Sequence, residues 1–188
     1  MSESHHSDSP GGRGLTYADY AALPDDGHRY QLAEGELVVT PSPTRWHQQV
    51  VAAIHVQLSL HVQQLSLGQV FIAPLDVLLS DRVVLQPDLF FVSNERAAIV
   101  RDANIAGAPG LCIEVLSPGT ERLDRLRKTE LYARFGVPHY WIVDLSARSI
   151  EEHVLGHELY RVRSIAGNDD EFRPAAFPGF VFRLAPIG

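Results

Sequence analysis

Two carboxylates interrupt stretches that are otherwise apolar. Glu114 sits inside Leu-Cys-Ile-Glu-Val-Leu (111–116), and Asp88 opens the apolar part of Gln-Pro-Asp-Leu-Phe-Phe-Val (86–92). A continuous apolar run of this length reads as a strand covered on both faces. Alternation puts Glu114 on one face with Cys112 and Leu116, and Asp88 with Phe90 and Val92. A carboxylate in such a place is costly unless a cation or a metal meets it. Two of them on neighbouring strands repel, which raises one pKa or demands a shared positive charge. A hard divalent cation such as Mg²⁺, held by carboxylates, waters and phosphate oxygens, is one answer; a structural Arg or Lys for each acid is the other.

Lys128 bears on that choice. Lys128, Leu131, Tyr132 and Phe135 follow helical spacing and form one face. The other three are apolar or aromatic, so the face packs on the sheet and carries Lys128 inward, near the strand end that bears Glu114. There its ammonium could meet a phosphate or an attacking water, or simply form a Lys–Glu ion pair. Asp76, in Ala-Pro-Leu-Asp-Val-Leu-Leu, has the same character as Asp88 and is a candidate third acid. His153 and His157, with Glu151, Glu152 and Glu158 nearby, lack any fixed ligand spacing and read as a solvated acidic hairpin. His55 and His61 read as helix-surface residues. No Walker loop, dinucleotide glycine pattern or Gly-x-Ser-x-Gly elbow is present.

The elements that must position these residues follow from periodicity and punctuation. Residues 1–14, rich in Ser, Gly and Pro, read as a disordered tail, and 15–188 as a single domain. Thr16 caps a short helix that ends near Pro24. Arg-Tyr-Gln-Leu and Glu-Leu-Val-Val-Thr flank a turn at Gly35 and predict a hairpin. Val50, Ile54, Leu58, Val62 and Leu65 predict a long helix from Thr44 to about Leu67, stopped by Gly68. Strands are expected over 69–79, 83–92, 111–116 and 137–144, with helical character from Asn94 to Arg101 and a helix over 121–135. A closing hairpin turns at Gly156-His157, and an irregular tail follows. The expected architecture is α/β: a mixed central sheet flanked by helices, with N- and C-terminal β-hairpins.

Composition bounds the classes. The 188 residues are 45% hydrophobic and 21% charged, which excludes a disordered chain, and no run approaches a membrane span. The N-terminus lacks the apolar core of a secretory signal, and a single cysteine, Cys112, suits a reducing compartment. Cytoplasmic location is therefore expected. The net charge of −7 argues against coating nucleic acid by charge alone. Much of it is local, since 151–171 hold six acids against two bases.

Taken in order, Gly-Glu-Leu (35–37), His47 at a helix start, Gln86–Val92, Ile-Glu-Val-Leu-Ser-Pro (113–118) and Lys-x-x-x-Tyr-x-x-x-Gly-Val-Pro-x-Tyr-Trp-Ile-Val-Asp (128–144) form a pattern. It resembles the Uma-two family of restriction-endonuclease-like proteins, within the PD-(D/E)XK nuclease-like superfamily, over about Leu15 to Phe182. The resemblance implies a restriction-endonuclease-like fold, with Asp88 as the Asp of "PD" and Glu114 as the acid of "(D/E)XK". The position two beyond Glu114, where the lysine usually stands, is Leu116, so the resemblance moves that lysine to Lys128 in the next helix. Gln31 stands where relatives often carry Glu. Glu36 and His47 match the family pattern and, with Gln86 and Tyr132, are candidate supporting residues. The implied activity is metal-dependent endonucleolytic hydrolysis, with DNA taken as the substrate. Asp88, Glu114 and the Val115 backbone carbonyl would hold Mg²⁺ or Mn²⁺, while Arg122, Arg125 and Arg127 would contact flanking phosphates. Two cuts in a duplex suggest a homodimer. A nuclease-like fold used only for binding or regulation is the alternative.

Overall fold

The structure, a computed structural model, describes residues 14–40, 42–116 and 121–184, with only the backbone described for 121–124. The expected tail (1–14, apart from Gly14) and residues 117–120 lie outside the described residues. The chain begins with α1 (Tyr17–Ala21), capped by Thr16 in a reciprocal capping box with Asp19. The hairpin of β1 (Arg29–Ala33) and β2 (Glu36–Thr40) follows. Helix α2 (Arg45–Gln64) starts where the Thr44 hydroxyl accepts the His47 amide N–H at 3.2 Å.

Four strands come next: β3 (Gly68–Ile72), β4 (Asp76–Ser80), β5 (Val83–Leu85) and β6 (Leu89–Ser93). A 3₁₀ turn (Asn94–Ile99) and the two-residue β7 (Asn104–Ile105) lead to β8 (Leu111–Leu116). Helix α3 (Glu121–Arg134) ends where Gly136 takes φ +75° and the Val137 and Gly136 amides return to the Tyr132 and Ala133 carbonyls. Strand β9 (His139–Asp144) precedes the closing hairpin of β10 (Ser149–Leu155) and β11 (Tyr160–Ala166).

The strands form two sheets flanked by helices, the N-terminal hairpin belonging to one and the C-terminal hairpin to the other. A six-stranded sheet runs β11-β10-β9-β8-β6-β3, and a five-stranded sheet runs β2-β1-β5-β4-β7; both are mixed, with parallel pairs at β8–β9 and β4–β7. The runs 69–79 and 83–92, each expected as one strand, are both broken. The first breaks at 73–75 and the second at 86–88, each passing from one sheet to the other. At the crossing the Ala73 amide donates to the Asp88 carbonyl at 3.0 Å. Proline explains the breaks, since Pro74 and Pro87 have no N–H for a ladder.

The six-stranded sheet is covered on both faces. Helix α2 packs on one, through Val50, Ile54, Leu58 and Val62, together with the segment holding Phe172, Phe177, Phe180 and Phe182. On the other face Phe90, Cys112, Tyr140 and Ile142 meet Leu131 and Tyr132 of α3 and Val77 and Leu85 of the second sheet. The acidic hairpin expected to be solvated is exposed at its turn, at His157 and Glu158, but not along β10. Glu152 is fully buried and accepts the Ala175 and Ala176 amides at 2.9 and 3.2 Å, while His153 is buried against Glu151 at 2.7 Å. The irregular C-terminal segment folds over this hairpin, which alternation along the hairpin alone does not reveal.

Candidate active site

The β6–β8 register pairs Leu89 with Ile113 and Phe90 with Cys112. Continued by one step it sets Asp88 opposite Glu114, and by two steps Pro87 opposite Val115. Pro87 cannot donate, and pairing stops at Leu89, so the edge of β8 facing β6 is open from Glu114 onward. Asp88 fills the vacancy with its side chain: Oδ2 accepts the Val115 amide N–H at 2.9 Å. In an extended chain the N–H and C=O of one residue point to the same edge. The Val115 carbonyl is therefore directed to the edge where Asp88 sits.

Three buried groups of opposite sign stand together here: Asp88, Glu114 and Lys128 are 9%, 5% and 8% exposed. Lys128 Nζ lies 3.0 Å from Glu114 Oε2, and the Tyr132 hydroxyl donates to Oε1 at 2.7 Å. Burial is the largest influence on Glu114. It is opposed by the Lys128 charge and reinforced by Asp88, and together they push the carboxyl up from 4.5 to about 7. Burial, then the Glu114 charge, holds the Tyr132 hydroxyl well above its ordinary value, so it remains a donor. His47 Nε2 is 3.1 Å from Asp88 Oδ2, which orients that carboxylate from the capped first turn of α2. Oδ2 thus carries both bonds of Asp88, and Oδ1 is its open acceptor among the described residues.

These groups lie in a cleft of about 450 Å³ whose lining includes His47, Asp88, Glu114, Val115, Leu116 and Lys128. The hairpin forms one wall, with Glu36, Gln31 and Gln86 among its lining. Gln31 Oε1 accepts the Gln86 amide at 3.2 Å, and its Nε2 donates to Thr40 Oγ1 at 2.8 Å. The Gln31 carboxamide thus ties β1 to the crossing before Asp88. The structure does not bring every expected residue here. Asp76 is outside the cleft, accepting from the Tyr20 hydroxyl at 2.9 Å and Gln86 Nε2 at 2.8 Å. Arg125 is also outside it, paired with Glu151 at 2.7 Å. Arg127 lines the cleft but is committed to Glu36 at 2.7 Å and to the Ala33 carbonyl at 2.7 Å. The Arg122 side chain lies outside the described residues. Arg29, which the sequence did not single out, does line the cleft. The available signal was the alternation of Arg29, Gln31 and Ala33 along one face of β1.

The donor set fits a hard divalent cation: an open carboxylate oxygen, a second acid of raised pKa, and a carbonyl on the edge of β8 that β6 leaves unpaired. Among the described residues no group of three or more His, Cys, Asp or Glu side chains gathers as a metal cluster, so a cation here would rest on two carboxylates and the backbone.

A covered mixed sheet that opens at one strand edge to present an Asp, a Glu and a Lys defines a restriction-endonuclease-like fold. The chain belongs to the Uma2 family, whose model carries the description "Putative restriction endonuclease" and matches residues 17–185. A solved structure from Anabaena variabilis ATCC 29413, described as a "putative nuclease belonging to DUF820", shares the fold with a TM-score of 0.75. It is 17% identical, with 92% of this chain and 97% of that chain covered. A comparison with curated proteins found no match. No helix among the described residues is long and apolar enough to cross a membrane.

Proposed function

We propose that the chain is a metal-dependent endonuclease that hydrolyses phosphodiester bonds of nucleic acid, with DNA as the substrate, acting as a homodimer in the cytoplasm. The observation that carries this reading is the meeting of Asp88 and Glu114 at the open edge of β8, with Lys128 within 3.0 Å of Glu114, in a cleft rather than a sealed core. Asp88, Glu114 and the Val115 carbonyl would hold Mg²⁺ or Mn²⁺. When bound, such an ion supplies Lewis-acid polarisation of the phosphate and a water of lowered pKa. His47 keeps Asp88 turned to the edge. Tyr132 fixes the Glu114 carboxylate by one oxygen, and Lys128 sets a positive charge beside the other, where phosphate charge develops during hydrolysis.

Cleavage of supercoiled plasmid with Mn²⁺ tests the reading. Asp88→Asn and Glu114→Gln should each lower the rate by about 100-fold or more while circular dichroism stays native. Undiminished cleavage by either variant defeats the assignment.

One observation favours a second reading, a nuclease-like fold that binds or regulates without cutting. Both Glu114 oxygens already have partners in Lys128 and Tyr132, so the acid is neutralised without an ion. The readings part on Mn²⁺, which leaves the melting temperature of a purely ion-paired site unmoved.

A further inference from the structure

On β1 and β2 the cross-strand pairs Arg29–Thr40, Gln31–Val38 and Ala33–Glu36 form three ranks, and all six residues line the cleft. Four residues of extended chain make this wall about 13 Å long. Its ends differ in charge. At the Ala33–Glu36 end the cation is spent, because Arg127 bonds both the Glu36 carboxylate and the Ala33 carbonyl. At the other end stands Arg29, half-buried, whose bond among the described residues is a 3.4 Å contact from Nε to the neutral Gln86 Oε1. No acid among the described residues forms an ion pair with it.

A guanidinium withdrawn from water without a counter-charge is unfavourable, and its planar fork matches a phosphate. Gln86, against which Arg29 rests, precedes Asp88 by two residues, about 7 Å of extended chain. The rank between, Gln31–Val38, carries no charge to repel an anion. We propose that Arg29 is the phosphate anchor of the cleft: it holds the phosphate adjoining the one over Asp88 and Glu114, so that a polynucleotide crosses along the β1–β2 wall. This deepens the nuclease reading and rests on it. It also answers how a chain of net charge −7 draws a polyanion into one groove, since a local cation with no acidic partner among the described residues focuses the field there.

Fluorescence anisotropy of a short fluorescein-labelled single-stranded oligodeoxynucleotide, titrated with the full chain in Ca²⁺ at several KCl concentrations, tests the anchor. Arg29→Gln should weaken binding about tenfold and reduce the slope of log K against log salt by about 0.7, one phosphate contact. Arg29→Met, which keeps the apolar stem, should do the same, so the test survives if one variant misfolds. Arg29→Lys should keep the slope while losing part of the affinity. Arg163→Gln, which removes an exposed charge on β11, should change neither. If the wild type binds and the charge-free variants keep its slope, Arg29 is not the anchor and the nuclease reading stands. If the wild type binds no oligonucleotide, single-stranded or duplex, the nuclease reading falls and takes the anchor with it.

Discussion

A carboxyl that loses its water on folding holds its proton more tightly, and Glu114 is such a group, pushed up to about 7 by burial first and by Asp88 next, against Lys128. In the metal-free protein the contribution of its proton to stability is full below the ordinary carboxyl range and is lost as pH rises through about 7. A cation at the site competes with that proton, so Mn²⁺ affinity should climb from about pH 6 to about pH 8, with protons released on binding. Calorimetric titration in buffers of different ionisation enthalpy measures both, and a flat profile without proton release rules out the acid as ligand. Asp88, Glu114 and Lys128 were legible in the sequence because a charge inside an apolar period is a local anomaly. Arg29 was not: an arginine in a hairpin strand is ordinary, and its lack of an acidic partner depends on where Glu36, Arg127 and Gln86 lie in space.

Strand breaks do the positioning. Periodicity marks 69–79 and 83–92 as extended, but it does not reveal that each run leaves one sheet for another, because pairing partners are distant in sequence. The cue lay in Pro74 and Pro87, and only the β6–β8 register turns the second into a functional statement. With Pro87 opposite Val115, the ladder cannot continue and the Val115 carbonyl is not taken by β6. Pro87→Ala would restore an N–H at that position and allow β6 to extend toward β8, capturing the carbonyl. The variant should therefore bind Mn²⁺ about tenfold more weakly, the loss of one ligand-scale interaction. It should change little in circular dichroism. Unaltered Mn²⁺ affinity, measured by the same calorimetry, would show that the Val115 carbonyl is not a ligand.

The site joins elements that no single layer supplies: α2 gives His47, the crossing between sheets gives Asp88, β8 gives Glu114 and Val115, and α3 gives Lys128 and Tyr132. Their order along the chain was readable, since caps, periods and glycine stops are local. Their division into two sheets, and the burial of Glu152 beneath residues 172–182, were not, because both are set by tertiary packing. An ion that bridges these elements binds the folded chain and not the unfolded one, so it must raise stability by mass action. At 100 times its dissociation constant, Mn²⁺ should add about 2.7 kcal/mol. For a domain of this size each kcal/mol moves the melting temperature by about 2–4 °C. The wild type should therefore melt about 5–10 °C higher in saturating Mn²⁺, with the shift growing logarithmically with concentration. Asp88→Asn and Glu114→Gln should lose most of it. A wild-type melting temperature that ignores Mn²⁺ across that range would mean that Lys128 and Tyr132 complete the charge balance of Glu114 by themselves, and the site would be one for binding rather than hydrolysis.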